Sequence, residues 1–229
     1  MPLNRKAFFD RIRLEPFRGA LSPQTVQGCN AILDEWERRG LTDLRHLAYM
    51  LATVRGECGA DMLPVREGFS KSDASARAYV ARQGYRYAKE VNGQVYYGRG
   101  LVQLTWDYNY KKMGDLLDID LVNRPDDALK PHVAAAIMFE GMIRGTFTGK
   151  KLADYFNASV TDWTNARRII NGTDKAATFA TWGRQFYSAV QVAYQIGAIP
   201  PPPDIEKAEP APVKQGWLAA LLSLFTKKA

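Results

Sequence analysis

The sequence predicts a mainly α-helical domain with long cleft-forming loops and at most a small β-hairpin. Three observations carry that expectation. Between Ser22 and Gly59, apolar residues recur at helical spacing behind good N-capping residues. The same spacing returns between Pro131 and Gly197. From Asp61 to Gly100 the periodicity weakens and Gly, Tyr and Arg dominate, and irregular stretches of that length in a domain are often functional.

Ser22-Pro23 reads as an N-cap with proline in the first helical turn. Val26, Cys29, Ile32, Leu33 and Trp36 then mark one face, and the helix ends near Gly40. Thr42 or Asp43 caps a second helix with a stripe of Leu44, Leu47, Ala48, Leu51 and Ala52. It runs to about Glu57 and stops at Gly59. Ser72 or Asp73 opens a short helix through Ala81, and Asn92-Gly93 marks a small hairpin. Leu101 to Leu104 is a short apolar run leading into an aromatic-polar segment. Pro131 opens a strongly apolar helix through Ile143. Lys151 to Phe156 and Asp162 to Ile170 are short amphipathic pieces, and Thr173 or Asp174 caps a long final helix ending near Gly197.

The composition shifts abruptly at Pro200, which divides the chain into three parts. Residues 1–199 form the folded domain, and 200–213 a stiff proline-rich linker. Residues 214–229 form a short apolar helix flanked by Lys214, Lys227 and Lys228. It is too short to span a bilayer but suited to docking or to an anionic membrane interface. With 229 residues, 46% hydrophobic and 24% charged, the chain is long enough for one domain with a substantial core. The formal net charge of +7 favours polyanions without naming one. The basic residues are dispersed and no nucleic-acid motif is present, so nucleic acid is not an expected partner. Two cysteines and two histidines without zinc spacing imply no metal site, and no cofactor is expected. Cys29 and Cys58 read as small buried hydrophobes, with a disulfide between them as the alternative.

Two glutamates are candidates for chemistry. Glu57 sits at the C-terminal end of its helix, where the dipole and partial burial both disfavour the ionised form, as a general acid requires. Glu67 lies ten positions on, in Pro64-Val65-Arg66-Glu67-Gly68-Phe69, where it could serve as a base. From position alone each reads more readily as an ordinary surface charge. A carboxylate pair is nonetheless what glycoside hydrolysis needs, one to protonate the leaving oxygen and one to activate water or attack the sugar. Glu140, beside an apolar helical stripe, is expected on the solvated face or paired with an arginine instead.

The specific signal is Tyr96-Tyr97-Gly98-Arg99-Gly100-Leu101-Val102-Gln103-Leu104-Thr105-Trp106-Asp107-Tyr108-Asn109-Tyr110. It resembles the signature of family 19 glycoside hydrolases, the chitinase-like enzymes that include many phage endolysins. The likeness covers roughly Leu14 to Ile196. Arg55-Gly56-Glu57 is similar to the family's helix ending in a His-Glu pair, with Gly56 where the family usually has His. Glu67 matches the second glutamate of the phage-like branch, whereas plant chitinases place theirs further along. Ile169-Ile170-Asn171-Gly172 resembles a late motif whose Asn binds substrate.

The resemblance implies a lysozyme-like or chitinase-like helical domain over residues 1–199 and an inverting mechanism. Glu57 would be the acid, Glu67 the base, and Thr105 would hold the attacking water. Gln103, Asn109, Tyr97, Arg99, Trp106 and Asn171 would contact substrate. In an inverting enzyme the two carboxyl groups stand about 6.5–9.5 Å apart, leaving room for that water. The expected substrate is the β-1,4 glycan of peptidoglycan, with chitin or non-catalytic wall binding as alternatives. A monomer is expected. With no apolar core for a secretory signal near Met1, the chain is expected to be made in the cytoplasm and to reach the wall by release or delivery.

Overall fold

In the computed structural model, which describes residues 3–195, the chain is mainly helical. The proline-rich stretch 200–213 and the segment 214–229 lie outside the described residues. Local capping explains the first long helices. In α2 (Pro23–Arg39), Ser22 accepts a hydrogen bond from the Thr25 N–H, and Gly40 closes the helix in the left-handed conformation at φ 60°. In α3 (Leu44–Glu57), Asp43 accepts from the Arg45 N–H, and every residue from Leu47 to Val54 is buried. A helix apolar on all sides belongs at the centre of a core, and α3 is that centre. It packs most extensively on α7 (Ala176–Ala193), α7 is covered by α1 (Arg5–Leu14), and α2 lies against α6 (Pro131–Arg144).

Two helices depart from the sequence expectation. Helix α1 buries only Phe8 and Ile12 among its ten residues, a stripe too thin to read as a period. Its position is fixed from a distance, by the Asn4 N–H donating to the carbonyl of Ala193 at 3.0 Å. Helix α5 (Asp107–Leu117) forms where only an aromatic-polar segment was expected. It buries Tyr110, Met113 and Gly114, and Lys and Asp residues crowd the rest of it.

The small β element lies elsewhere than expected. At Asn92-Gly93 the chain turns, but only a single bridge forms, between Val91 and Gln94. The sheet joins β1 (Val65–Arg66) and β2 (Arg99–Gly100), antiparallel, with Val65 opposite Gly100 and Arg66 opposite Arg99. Between them, α4 (Asp73–Arg82) starts in a capping box of Ser72 and Ser75. The pieces expected at Lys151–Phe156 and Asp162–Ile170 are short 3-10 turns, Leu152–Asp154 and Asn165–Ile169. Helix α7 begins at Ala176, later than the expected cap, after Lys175 in the left-handed region. Cys29 and Cys58 are both buried and unbonded to each other, and burial pushes the Cys29 thiol up to about 12. Glu140 is held by Arg39 at 2.7 Å and by Arg144, a structural pairing.

Candidate active site

Glu57 is the last residue of α3, and its side chain is buried. It is not alone there. Arg167, from the turn Asn165–Ile169, donates from Nη1 to Glu57 Oε1 at 2.8 Å. Both side chains are nearly sealed, at 2% and 3% exposure, so the pair is an internal ion pair. Arg167 Nε also donates to the carbonyl of Asp174 at 3.3 Å.

Glu67 directly follows β1 and opens the 3-10 turn Glu67–Phe69. Its own N–H donates to the Gly98 carbonyl at 2.8 Å, and its Oε2 accepts from the Gly98 N–H at 2.8 Å. Its Oε1 accepts from the Tyr87 hydroxyl at 2.6 Å. Burial raises the Glu67 carboxyl above its ordinary range, and the Tyr87 and Gly98 hydrogen bonds and the Arg99 charge offset part of that rise. The two glutamates are stitched together through the sheet. Cys58, next to Glu57, places its sulfur 3.6 Å from the carbonyls of Gly100 and Leu101, at the end of β2. Gly98, just before β2, holds Glu67.

The loop after β2 presents Gln103 and Thr105. Gln103 Nε2 donates to the carbonyls of Val65 and Gly100, at 3.0 and 3.3 Å. Its Oε1 is buried without a protein donor. Gly98 explains how the group fits. A Cβ there would lie 2.8 Å from Gln103 Oε1 and 3.3 Å from Glu67 Oε2, so only glycine lets these two acceptors converge. Both oxygens are acceptors, so a group that bridges them must be a donor. Thr105 donates its hydroxyl proton to the Gln103 carbonyl at 2.8 Å, which leaves its oxygen as an acceptor. Gln103 and Trp106 both have positive φ, 53° and 75°, conformations that non-glycine residues hold only at a cost.

The remaining expected contacts divide. Asn109 donates from Nδ2 to the Thr105 carbonyl at 2.8 Å, so it braces the loop and keeps its second Nδ2 hydrogen and its Oδ1 to offer. Trp106 is half-buried, edge-on to Tyr87 at 5.4 Å and stacked with Tyr108 at 5.9 Å. Asn171 accepts from the Gly172 N–H at 2.8 Å, and its Nδ2 is buried without a protein acceptor. Tyr97 and Arg99 are corrections. Expected at the substrate, both are sealed behind the loop. The Arg99 guanidinium lies 3.5 Å over the Tyr97 ring and binds Asp126 at 2.7 Å and Asp73 at 3.1 Å. Tyr97 donates to Asp73 at 2.8 Å. They hold the loop in shape and have no free face for a sugar.

Sequence reasoning missed three residues. Arg167 lies two positions before the Ile169-Ile170-Asn171-Gly172 motif, and a cation there was the available signal. Tyr108 lies inside the signature and is 60% exposed, a more open apolar face than Trp106. Tyr87 carried no local signal. Its role gives a prediction. Tyr87→Phe removes a hydrogen bond that favours ionised Glu67, leaving burial less opposed, so the Glu67 carboxyl titrates higher. With Glu67 as base, activity is lost as pH falls through that value, and the acid limb of the kcat/KM profile moves to higher pH. An unmoved acid limb would count against Glu67 as the base.

The model of class I chitinases matches residues 55–167, just under half of the chain. The match is a likeness to glycoside hydrolase family 19 over that segment. An endochitinase of Arabidopsis thaliana is 31% identical over 134 residues, covering 56% of this chain and 44% of that protein. An inactive chitinase-like protein of Hevea brasiliensis is 41% identical over 59 residues, 19% of each chain. Chitinase C of Streptomyces griseus HUT6037 shares the fold, with a TM-score of 0.53 at 21% identity over 84% of this chain and 76% of that one. The chain spans less than half the length of these curated relatives. The matched segment contains Glu57, Glu67, Gln103 and Thr105 and ends on Arg167, while Asn171 lies beyond it.

Proposed function

We propose that the protein hydrolyses β-1,4 glycosidic bonds next to N-acetylglucosamine-type sugars by an inverting two-glutamate mechanism. Glu57 protonates the leaving oxygen. Arg167, at 2.8 Å, then stabilises the carboxylate that proton donation leaves. Glu67 takes a proton from a water that attacks the anomeric carbon from the opposite face of the ring. The observation that carries this reading is the convergence of Glu67 Oε2 and the unpartnered Gln103 Oε1 on one space beside Gly98. A water donating to both would turn a lone pair outward, as a nucleophile must. Thr105 Oγ1 and the exposed Tyr108 ring complete a surface for the sugar and its water.

The names of the relatives favour chitin as the substrate over the peptidoglycan expected from the sequence. Peptidoglycan stands as the second reading because of one observation, the net charge of +7, which suits an anionic wall. The basic-flanked segment 214–229 is assigned to approach of that wall or its membrane. One experiment tests all of this. The protein is incubated with chitin oligosaccharides, isolated sacculi and intact cells. Fragments are read by mass spectrometry, and the first anomer released by NMR. Cleavage with the α-anomer appearing first is expected from a β-linked substrate. The β-anomer appearing first would reject inversion, and binding without fragments would reject hydrolysis. Sacculus fragments without chitin fragments would move the assignment to peptidoglycan. Deleting the residues after 203 should slow action on intact cells more than on sacculi, and equal loss on both would speak against a role for the tail.

A further inference from the structure

Among the described residues the Arg167 guanidinium makes two hydrogen bonds, to Glu57 and to the Asp174 carbonyl, the second of them long at 3.3 Å. Two such bonds leave a flat guanidinium free to tilt about the line joining them. A third restraint comes from α7. The Phe179 ring lies under the guanidinium with its centroid 4.0 Å from Cζ, a cation–π arrangement that fixes the plane of the fork. The ring itself is buried at 1% exposure and braced edge-on by Trp182 at 5.7 Å. On its other side it runs into the backbone of α3. A Cβ on Gly56 would sit 2.2 Å from Phe179 Cζ and 2.4 Å from Cε1. Real Cβ atoms do not come that close, so the ring is seated there because position 56 has no side chain.

We propose that Gly56 and Phe179 form a seat that positions Arg167 against Glu57, and that Phe179 is thereby a positioning residue for the general acid. The residue next to the acid is small so that an aromatic ring from α7 can pass beneath the acid's counter-charge. Any side chain at 56 would push the ring away and release the guanidinium. This inference rests on the reading of Glu57 as the acid.

The groups that interact electrically with Glu57 include the Arg167 cation, the Cys58 thiol and the Tyr49 phenol. Burial holds the thiol and the phenol neutral, so Arg167 is the charge that matters. A cation held at 2.8 Å steadies the carboxylate that proton donation leaves, so releasing the guanidinium slows the chemical step and leaves substrate binding unchanged.

The test uses the full chain with Phe179→Leu, Gly56→Ala and the two combined, with kcat, KM and melting temperature measured for each. Phe179→Leu is expected to lower kcat about tenfold with little change in KM. Gly56→Ala, which displaces the ring from the opposite side, should reproduce that split. Because leucine at 179 relieves the clash, the double variant should be less impaired than Gly56→Ala alone. Should Phe179→Leu prove too unstable to purify, Gly56→Ala and the double variant carry the same comparison. Lower melting temperatures with an unchanged kcat, or additive losses in the double variant, would overturn the seat and leave Phe179 as core packing. In parallel, Glu57→Gln separates the two levels. Full-rate turnover by that variant removes the acid reading and the seat with it. An inactive Glu57→Gln beside an unchanged kcat in the seat variants removes the seat alone.

Discussion

Glu57→Gln is expected to cut turnover about a thousandfold while leaving the fold intact. Glutamine has the same shape but no proton to give to a leaving oxygen. Its amide oxygen can still accept from Arg167 Nη1, now 2.8 Å from Glu57 Oε1, so the buried hydrogen bond survives the exchange. Glu57→Ala is a different experiment. It leaves a guanidinium that is 2% exposed with no carboxylate beside it, and stranding one partner of a buried pair costs about 3–5 kcal/mol. The glutamine variant should therefore melt close to wild type and the alanine variant far below it. Turnover on chitin oligosaccharides and thermal melts of both variants decide the matter. Wild-type turnover by the glutamine variant would remove Glu57 as the acid. Equal destabilisation by both would mean that the charge of the pair, and not the acceptor, holds Arg167.

What the sequence reveals about this molecule follows the range of the forces involved. Helices α2 and α3 are legible because their caps, Ser22 and Asp43, act within three residues, and their apolar stripes are long. Helices α1 and α5 are not, because each buries two or three residues and is held by contacts from far along the chain, such as Asn4 with Ala193. The β1–β2 pair is two residues per strand, and its register joins positions 65 and 100, so nothing local encodes it. The site divides the same way. Glu57 and Glu67 stand out only through the neighbouring signature. That signature mixes residues facing the loop's open side with residues holding it from behind, which is why Tyr97 and Arg99 were misplaced. An arginine reads as a surface residue until Asp73 and Asp126 are seen to close around it. Arg167 is 110 positions from Glu57, and only the fold brings them together.

Glu67→Gln should abolish activity and at the same time make the protein more stable at neutral pH. The loss follows from its role, since glutamine cannot take a proton from water, and general-base removal costs about a thousandfold. The gain follows from burial. Glu67 is 1% exposed, and burial raises its carboxyl above the ordinary 4.5 despite hydrogen bonds from Tyr87 and Gly98. A carboxyl whose folded value is raised favours the fold fully below its unfolded value. That benefit is lost as pH rises through the folded value. At pH 7 the ionised carboxylate therefore works against the fold. Glutamine carries no charge to desolvate, and it can satisfy both neighbours: its oxygen accepts from the Gly98 N–H, and its nitrogen donates to the Tyr87 oxygen. Exchanges that relieve such strained functional groups commonly gain about 1 kcal/mol. Thermal melts at pH 7 and at pH 4 should show the variant ahead of wild type at the higher pH, with the gap closing at the lower one, where Glu67 is protonated anyway. A variant that melts below wild type at pH 7 would show that the two hydrogen bonds to the carboxylate outweigh its burial. Glu67 would then be a structural acceptor holding Gly98 and Tyr87 together rather than a base kept ready at the expense of the fold.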